Sequence, residues 1–80
     1  MDQNRVIARL TPIFHEILDN DRIELSRTLY AGDVEEWDSL SHIRLIVAVE
    51  EAFQISFRST EVGSLENLGD IIDLILLKLG

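Results

Sequence analysis

Residues 37–53 are WDSLSHIRLIVAVEEAF, in which a polar Asp38-Ser39 step leads into a long and mostly apolar segment. The apolar positions recur with helical spacing, so we predict a helix from Ser39 to Phe53. Asp and Ser are preferred at helix N-termini, because their oxygens accept hydrogen bonds from backbone N–H groups without a partner in the helix. An ordinary helix cap accounts for this step by itself. The same helix end also favours an anion, so a phosphate or phosphodiester on Ser39 would be well placed.

The predicted helix carries two apolar faces instead of one. The first stripe consists of His42, Leu45, Ile46, Val49 and Phe53, and the second, roughly opposite, of Leu40, Ile43 and Val47. In a bundle of three helices we expect the first stripe in the core and the second at least partly exposed. Since Arg44 and Glu51 flank it, the second stripe has the character of a transient docking surface. Burial of both stripes between helices and loop is the alternative.

The rest of the chain also predicts helices. A single apolar stripe over residues 3–18 indicates an amphipathic helix, with a kink or restart near Pro12 for which Thr11 is a local cap. Residues 58–62 fit one short helical turn. Asn67 is a suitable N-cap for a last helix over residues 67–79.

Between the first two helices lies a long connection, residues 19–38, without a sustained period. Its scattered apolar residues are expected to anchor it to the core. No segment alternates long enough to predict a strand. We therefore expect an all-α bundle of three main helices and one short helix, forming a single domain over residues 1–80.

Composition excludes several classes of function. The net charge of −8, from 15 acids and 7 bases, opposes binding to nucleic acid or anionic lipid and favours partners with basic docking surfaces. Without cysteine there is no disulfide or thiolate site, and we expect no metal. The longest apolar tract, residues 68–79, contains three charged residues and is too short to span a bilayer. The start of the chain lacks a signal-peptide pattern, so we expect a cytoplasmic protein.

Three side chains, Asp38, Ser39 and His42, raise the possibility of a hydrolase. A serine nucleophile needs a base within hydrogen-bond reach and an oxyanion hole in a water-restricted site. His42 is expected one turn along the helix on the core-facing side, and the chain has no Gly-x-Ser-x-Gly elbow. We therefore expect no enzyme, a core-edge position for His42 and a surface position for His15.

From the Asp38-Ser39 step onward, the residue types and their spacing match those of a known protein family. The matching positions are Leu40, Leu45, Ala48, Glu50-Glu51 and Phe53, followed by Asn67 and Ile72-Asp73-Leu74-Ile75 near the end of the chain. In this order, and over essentially all 80 residues, the chain resembles an acyl carrier protein.

The resemblance implies that a phosphopantetheinyl transferase moves 4′-phosphopantetheine from coenzyme A onto Ser39. The chain would then hold acyl intermediates as thioesters and, as a monomer, present them to acyl-activating, acyl-transfer or synthase enzymes. Asp38 would support recognition and metal-assisted transfer. The helix that partner enzymes contact would contribute Trp37, Leu40, Ile43, Arg44, Val47, Glu50 and Glu51.

Several residues depart from the housekeeping fatty-acid carriers of that family. Glu36-Trp37 replaces the small pair usual before Asp-Ser, and Ser41 and Arg44 stand where acids are common. Because Arg44 reverses a charge on the docking surface, we expect a dedicated carrier for a specialised acyl or polyketide-like pathway. An unmodified interaction module of carrier-like fold is the alternative. It is motivated by these altered charges and by Leu74 and Leu77, expected on the outer side of the last helix.

Overall fold

The computed structural model describes residues 2–80 and consists of helices joined by loops. The helices are α1 (Gln3–Ile17), α2 (Ser39–Phe53), α3 (Ser59–Gly63) and α4 (Leu68–Leu79). A short 3₁₀ turn, Ala31–Asp33, lies in the long loop between α1 and α2. Within the described residues no strand occurs, and the predicted all-α class is confirmed.

Local side-chain hydrogen bonds cap the starts of α1 and α4. The carboxylate of Asp2 accepts a hydrogen bond from the Arg5 N–H, and Asn67 Oδ1 accepts one from the Asp70 N–H, each at 2.9 Å. A kink or restart was predicted at Pro12, and the restart does not occur, because Pro12 lies within a continuous α1. The hydroxyl of Thr11 donates to the Ile7 carbonyl one turn back, at 2.8 Å, and caps no new helix.

The core forms where α1 packs against both α2 and α4. Its largest fully buried side chains are Leu10 and Phe14 from α1, Leu45 from α2, and Leu68, Ile71, Ile72 and Ile75 from α4. Burial of each such side chain contributes about 1.5–3 kcal/mol. The described residues include no buried side chain of a charged or polar residue, so apolar packing dominates the centre of the bundle.

Hydrogen bonds hold the long loop against the start of α4. The N–H of Leu68 donates to the Leu29 carbonyl at 2.7 Å, and the N–H of Gly69 donates to the Arg27 carbonyl at 2.9 Å. The Arg27 guanidinium also donates to both carboxylate oxygens of Asp73, at 2.7 and 2.9 Å. The loop thus satisfies two N–H groups that a helix start leaves free, which fixes the loop relative to α4.

Replacement of Gly69 by alanine tests this junction. The added Cβ would lie 3.0 Å from the Arg27 carbonyl oxygen and 3.3 Å from the Arg27 Cβ, so the loop must move and its hydrogen bond weakens. We expect Gly69→Ala to lower the free energy of unfolding by about 1 kcal/mol, despite the higher helix propensity of alanine. Urea unfolding measures the change.

The matched control is Gly63→Ala, at the last residue of α3. Nothing lies within 4 Å of a Cβ added there, so this variant should be neutral or slightly stabilising. Equal stability of the two variants would contradict the tight contact between the loop and α4.

Candidate functional site

The candidate site begins at Ser39, the exposed first residue of α2. Asp38 precedes it with extended backbone, and its carboxylate accepts a hydrogen bond from the Ser41 N–H at 2.9 Å. N–H groups of the first turn, above all that of Ser41, hold the pKa of Asp38 below its usual range. An ionised cap therefore sits beside an accessible hydroxyl. The predicted bounds of α2 are confirmed.

Trp37 lies behind this cap, in the core. Its side chain is 5% exposed and meets Phe14 edge to face, with ring centroids 5.3 Å apart. Its indole Nε1–H donates to Nδ1 of His42 at 3.2 Å, and the two rings lie nearly parallel. The sequence-based placement of Trp37 on the docking surface is therefore corrected, because its ring faces inward and holds the end of the loop.

His42 lies at the edge of the core, partly buried. Burial lowers its pKa, so the ring is neutral at neutral pH. One ring nitrogen is occupied by Trp37, and within residues 2–80 no hydrogen bond joins the ring to the Ser39 hydroxyl. The geometry does not assemble a serine nucleophile with its base.

A cavity of about 340 Å³ opens beside Ser39, between the end of the loop, the first turn of α2 and the start of α4. Its walls include Trp37, Ser39, His42, Leu65, Glu66 and Ile71. The residues from the α3–α4 connection and from α4 were not predicted as part of the site. No local pattern marks them, because only tertiary packing brings them to α2.

The two faces of α2 differ as the sequence predicts. Leu45, Ile46, Val49 and Phe53 are buried. On the opposite side Leu40 is 69% exposed, Ile43 59% and Val47 47%. Together with the exposed Arg44 and Glu51, these three residues form what we call the outer face of α2.

Two further polar residues, Glu50 and His15, contact backbone groups of the segments that follow their helices. Glu50, predicted on the docking surface, is only partly exposed, and its carboxylate accepts a hydrogen bond from the Phe57 N–H at 2.8 Å. This bond holds the chain that leaves α2. His15, predicted at the surface, is also partly buried, with its Nε2 2.8 Å from the Ile23 carbonyl oxygen. In both contacts the partner lies in the segment that follows the helix and turns back toward it. Helical periodicity does not indicate such contacts.

The part of the chain that the structure describes, residues 2–80, brings no three His, Cys, Asp or Glu side chains together as metal ligands. In the same residues no helix combines the length and apolar character needed to cross a membrane.

Variants at Asp38 test the cap. Asp38→Ala should lower Tm by a few degrees at neutral pH, because the Ser41 N–H loses its acceptor, whereas Asp38→Asn retains a side-chain oxygen and should lose less. Since the folded pKa is lowered, the advantage of the charged wild-type cap is complete above about pH 3.9 and disappears as the pH falls through the lowered value. Thermal unfolding followed by circular dichroism measures both effects. Equal losses in the two variants at neutral pH would contradict the hydrogen-bonded cap.

Comparison with known proteins places this geometry in a family. A scan against protein-family models found no match. Among solved structures, the chain is similar to the holo acyl carrier protein from Geobacter metallireducens, determined by solution NMR. The two share 44% sequence identity and a TM-score of 0.87, and the match covers 92% of this chain and 85% of the other. This identity, over nearly the whole of both chains, shows that the chain belongs to the acyl carrier protein family.

Proposed function

We propose that this carrier, which is not itself an enzyme, holds acyl groups as thioesters on a 4′-phosphopantetheine arm attached to Ser39. The observation that carries the proposal is the exposed Ser39 hydroxyl at the start of α2, in a chain 44% identical to a holo acyl carrier protein. The arm supplies a thiol, which the chain itself lacks, and the thioester keeps the acyl group transferable.

The surroundings of Ser39 fit such a group. Ser39 opens a helix of 15 residues, whose N-terminal N–H groups and dipole favour the negative charge of a phosphodiester. The hydroxyl is exposed, so a transferase that uses coenzyme A can reach it. The adjoining cavity gives part of an attached group a place to lie against the protein. We infer a cytoplasmic setting, where coenzyme A is supplied.

The outer face of α2 supports docking of the enzymes that load and use the cargo. Its three exposed apolar side chains lie within three turns of Ser39, so an enzyme bound there would have its active site near the carried group. Exposed apolar residues with a charged rim are typical of transient interfaces. Acyl-activating, acyl-transfer and synthase enzymes are the partners that we propose for this face.

Arg44 supports a specialised pathway in place of general fatty-acid synthesis. It is exposed in the middle of the outer face, between Ile43 and Val47. A partner that selects an acidic helix with its own basic residues would meet a like charge there, which weakens binding.

A second candidate, an unmodified interaction module, is favoured by one observation. Leu77 of α4 is 75% exposed, so an apolar side chain is available for a partner outside the Ser39 region. A pull-down in which Ser39→Ala retains every partner of the wild type would support this candidate.

Intact-mass measurement tests the attachment site. After incubation with coenzyme A and a promiscuous phosphopantetheinyl transferase, the wild type should gain one adduct and Ser39→Ala none. Ser59→Ala is the matched control, because Ser59 is also an exposed serine at the first position of a helix, and it should be modified like the wild type. An unmodified wild type, or modification of Ser39→Ala, would refute the proposal.

Charge reversal at Arg44 tests the choice of partner. Arg44→Glu should raise the affinity for a generic fatty-acid ketosynthase with a basic docking surface severalfold at low salt, and the gain should shrink as salt screens the contact. Arg5→Glu makes the same change of net charge on α1 and should have little effect. Surface plasmon resonance of the modified proteins measures both affinities. Equal gains would assign the effect to net charge, and no gain would contradict a role for Arg44 in partner choice.

A further inference from the structure

The hydrogen bond between Trp37 and His42 determines where the His42 ring carries its proton. An indole N–H can only donate, so Nδ1 of His42, at 3.2 Å, must be the acceptor. A neutral imidazole that accepts at Nδ1 carries its hydrogen on Nε2. Because Trp37 is held in the core by Phe14, this arrangement is built into the fold.

The Nε2–H of His42 is left accessible. None of the described residues accepts a hydrogen bond from it, and no buried side-chain nitrogen or oxygen among residues 2–80 lacks a partner. The nitrogen is therefore not sealed in the core. His42 belongs to the wall of the cavity beside Ser39.

Ser39 and His42 are also neighbours along α2. Residues three apart in a helix have Cβ atoms about 5–6 Å from each other, and helical side chains lean toward the N-terminus. The His42 ring therefore lies alongside the turn that begins with Ser39. A group attached to Ser39 and turned into the cavity passes this ring.

The charged residues of the cavity favour an uncharged acceptor for this donor. Asp38 and Glu66 are among the residues that line the cavity, and their negative charges oppose a second anion there. Trp37, Leu65 and Ile71 supply apolar wall. A carbonyl oxygen on a mostly apolar group satisfies both conditions.

We propose that the Nε2–H of His42 donates a hydrogen bond to a carbonyl oxygen of the group carried on Ser39. This inference rests on the proposed function. The carbonyl belongs either to an amide of the arm, where His42 would position every cargo, or to a ketone of the cargo beyond the thioester, where His42 would distinguish between cargoes. A purely hydrocarbon group that filled the cavity would cover the donor without pairing it, which is unfavourable.

Nuclear magnetic resonance of the imidazole nitrogens of the ¹⁵N-labelled full chain tests the proposal. Four samples are compared: the unmodified protein, and protein loaded by a transferase from coenzyme A, butyryl-coenzyme A or acetoacetyl-coenzyme A. The two acyl cargoes have the same number of carbons and differ by one carbonyl. The unmodified protein should show His42 with its proton on Nε2. His15 is the internal reference, because its Nε2 contacts the Ile23 carbonyl oxygen and it does not line the cavity.

In loaded protein that supplies the carbonyl, exchange of the His42 Nε2 proton with water should be about fivefold slower than in the unmodified protein, as expected for one hydrogen bond. Exchange at His15 should stay unchanged. Slowing already present with coenzyme A assigns the carbonyl to the arm, and slowing only with the acetoacetyl group assigns it to the cargo. Three results would overturn the proposal. They are a His42 proton on Nδ1, equal exchange in all four samples, and slowing that occurs only with acyl cargo and is equal for butyryl and acetoacetyl groups, because neither an arm amide nor a cargo ketone explains it.

Intact mass separates failure of this inference from failure of the proposed function. A loaded protein with unchanged His42 exchange refutes the role of His42 and leaves the carrier role standing, whereas the absence of any adduct refutes the carrier role itself. Ser39→Ala, treated with the same reagents, should keep the exchange rate of the unmodified protein. A slowed rate in Ser39→Ala would show binding of free reagent and would contradict an effect of the attached group.

Discussion

Burial of the Trp37 side chain ties the long loop to the helix that carries the site. The ring packs against Phe14 of α1 and hydrogen-bonds to His42 of α2, so it joins two helices through a residue that belongs to neither. Burying a large apolar side chain contributes about 1.5–3 kcal/mol, a large share of the stability of an 80-residue chain. Because Asp38 and Ser39 follow directly, the position of this ring decides where α2 begins and where the Ser39 hydroxyl emerges.

The two sides of α2 have different roles. One side completes the core, and the outer face leaves three apolar side chains in water. Such exposure favours self-association, and a net charge of −8 opposes it, because like-charged molecules repel one another over a Debye length of about 8–10 Å. Arg44 then changes the local charge without removing the general repulsion. A carrier that must bind and release several enzymes needs both properties.

The sequence predicted the features that depend on neighbouring residues. Helical spacing gave α2 its observed bounds, and the caps at Asp38 and Asn67 follow from residue type. Apart from the restart expected at Pro12, the errors concern side chains whose partners lie outside their own helix. Trp37 and Glu50 were expected to face partners, yet Trp37 contacts Phe14 and Glu50 holds the Phe57 N–H. No local pattern reports such contacts, because they form only when separate segments pack together.

Trp37 and His42 are therefore not independent features of the site. A small apolar side chain at position 37 would carry no donor, whereas a buried indole needs an acceptor. His42, one turn into α2, provides it at 3.2 Å. Removal of the acceptor alone would leave the indole N–H of a 5% exposed ring without its partner, at a cost of about 1–3 kcal/mol. Trp37 and His42 thus act as one unit, in which the buried indole determines which nitrogen of the His42 ring carries the proton.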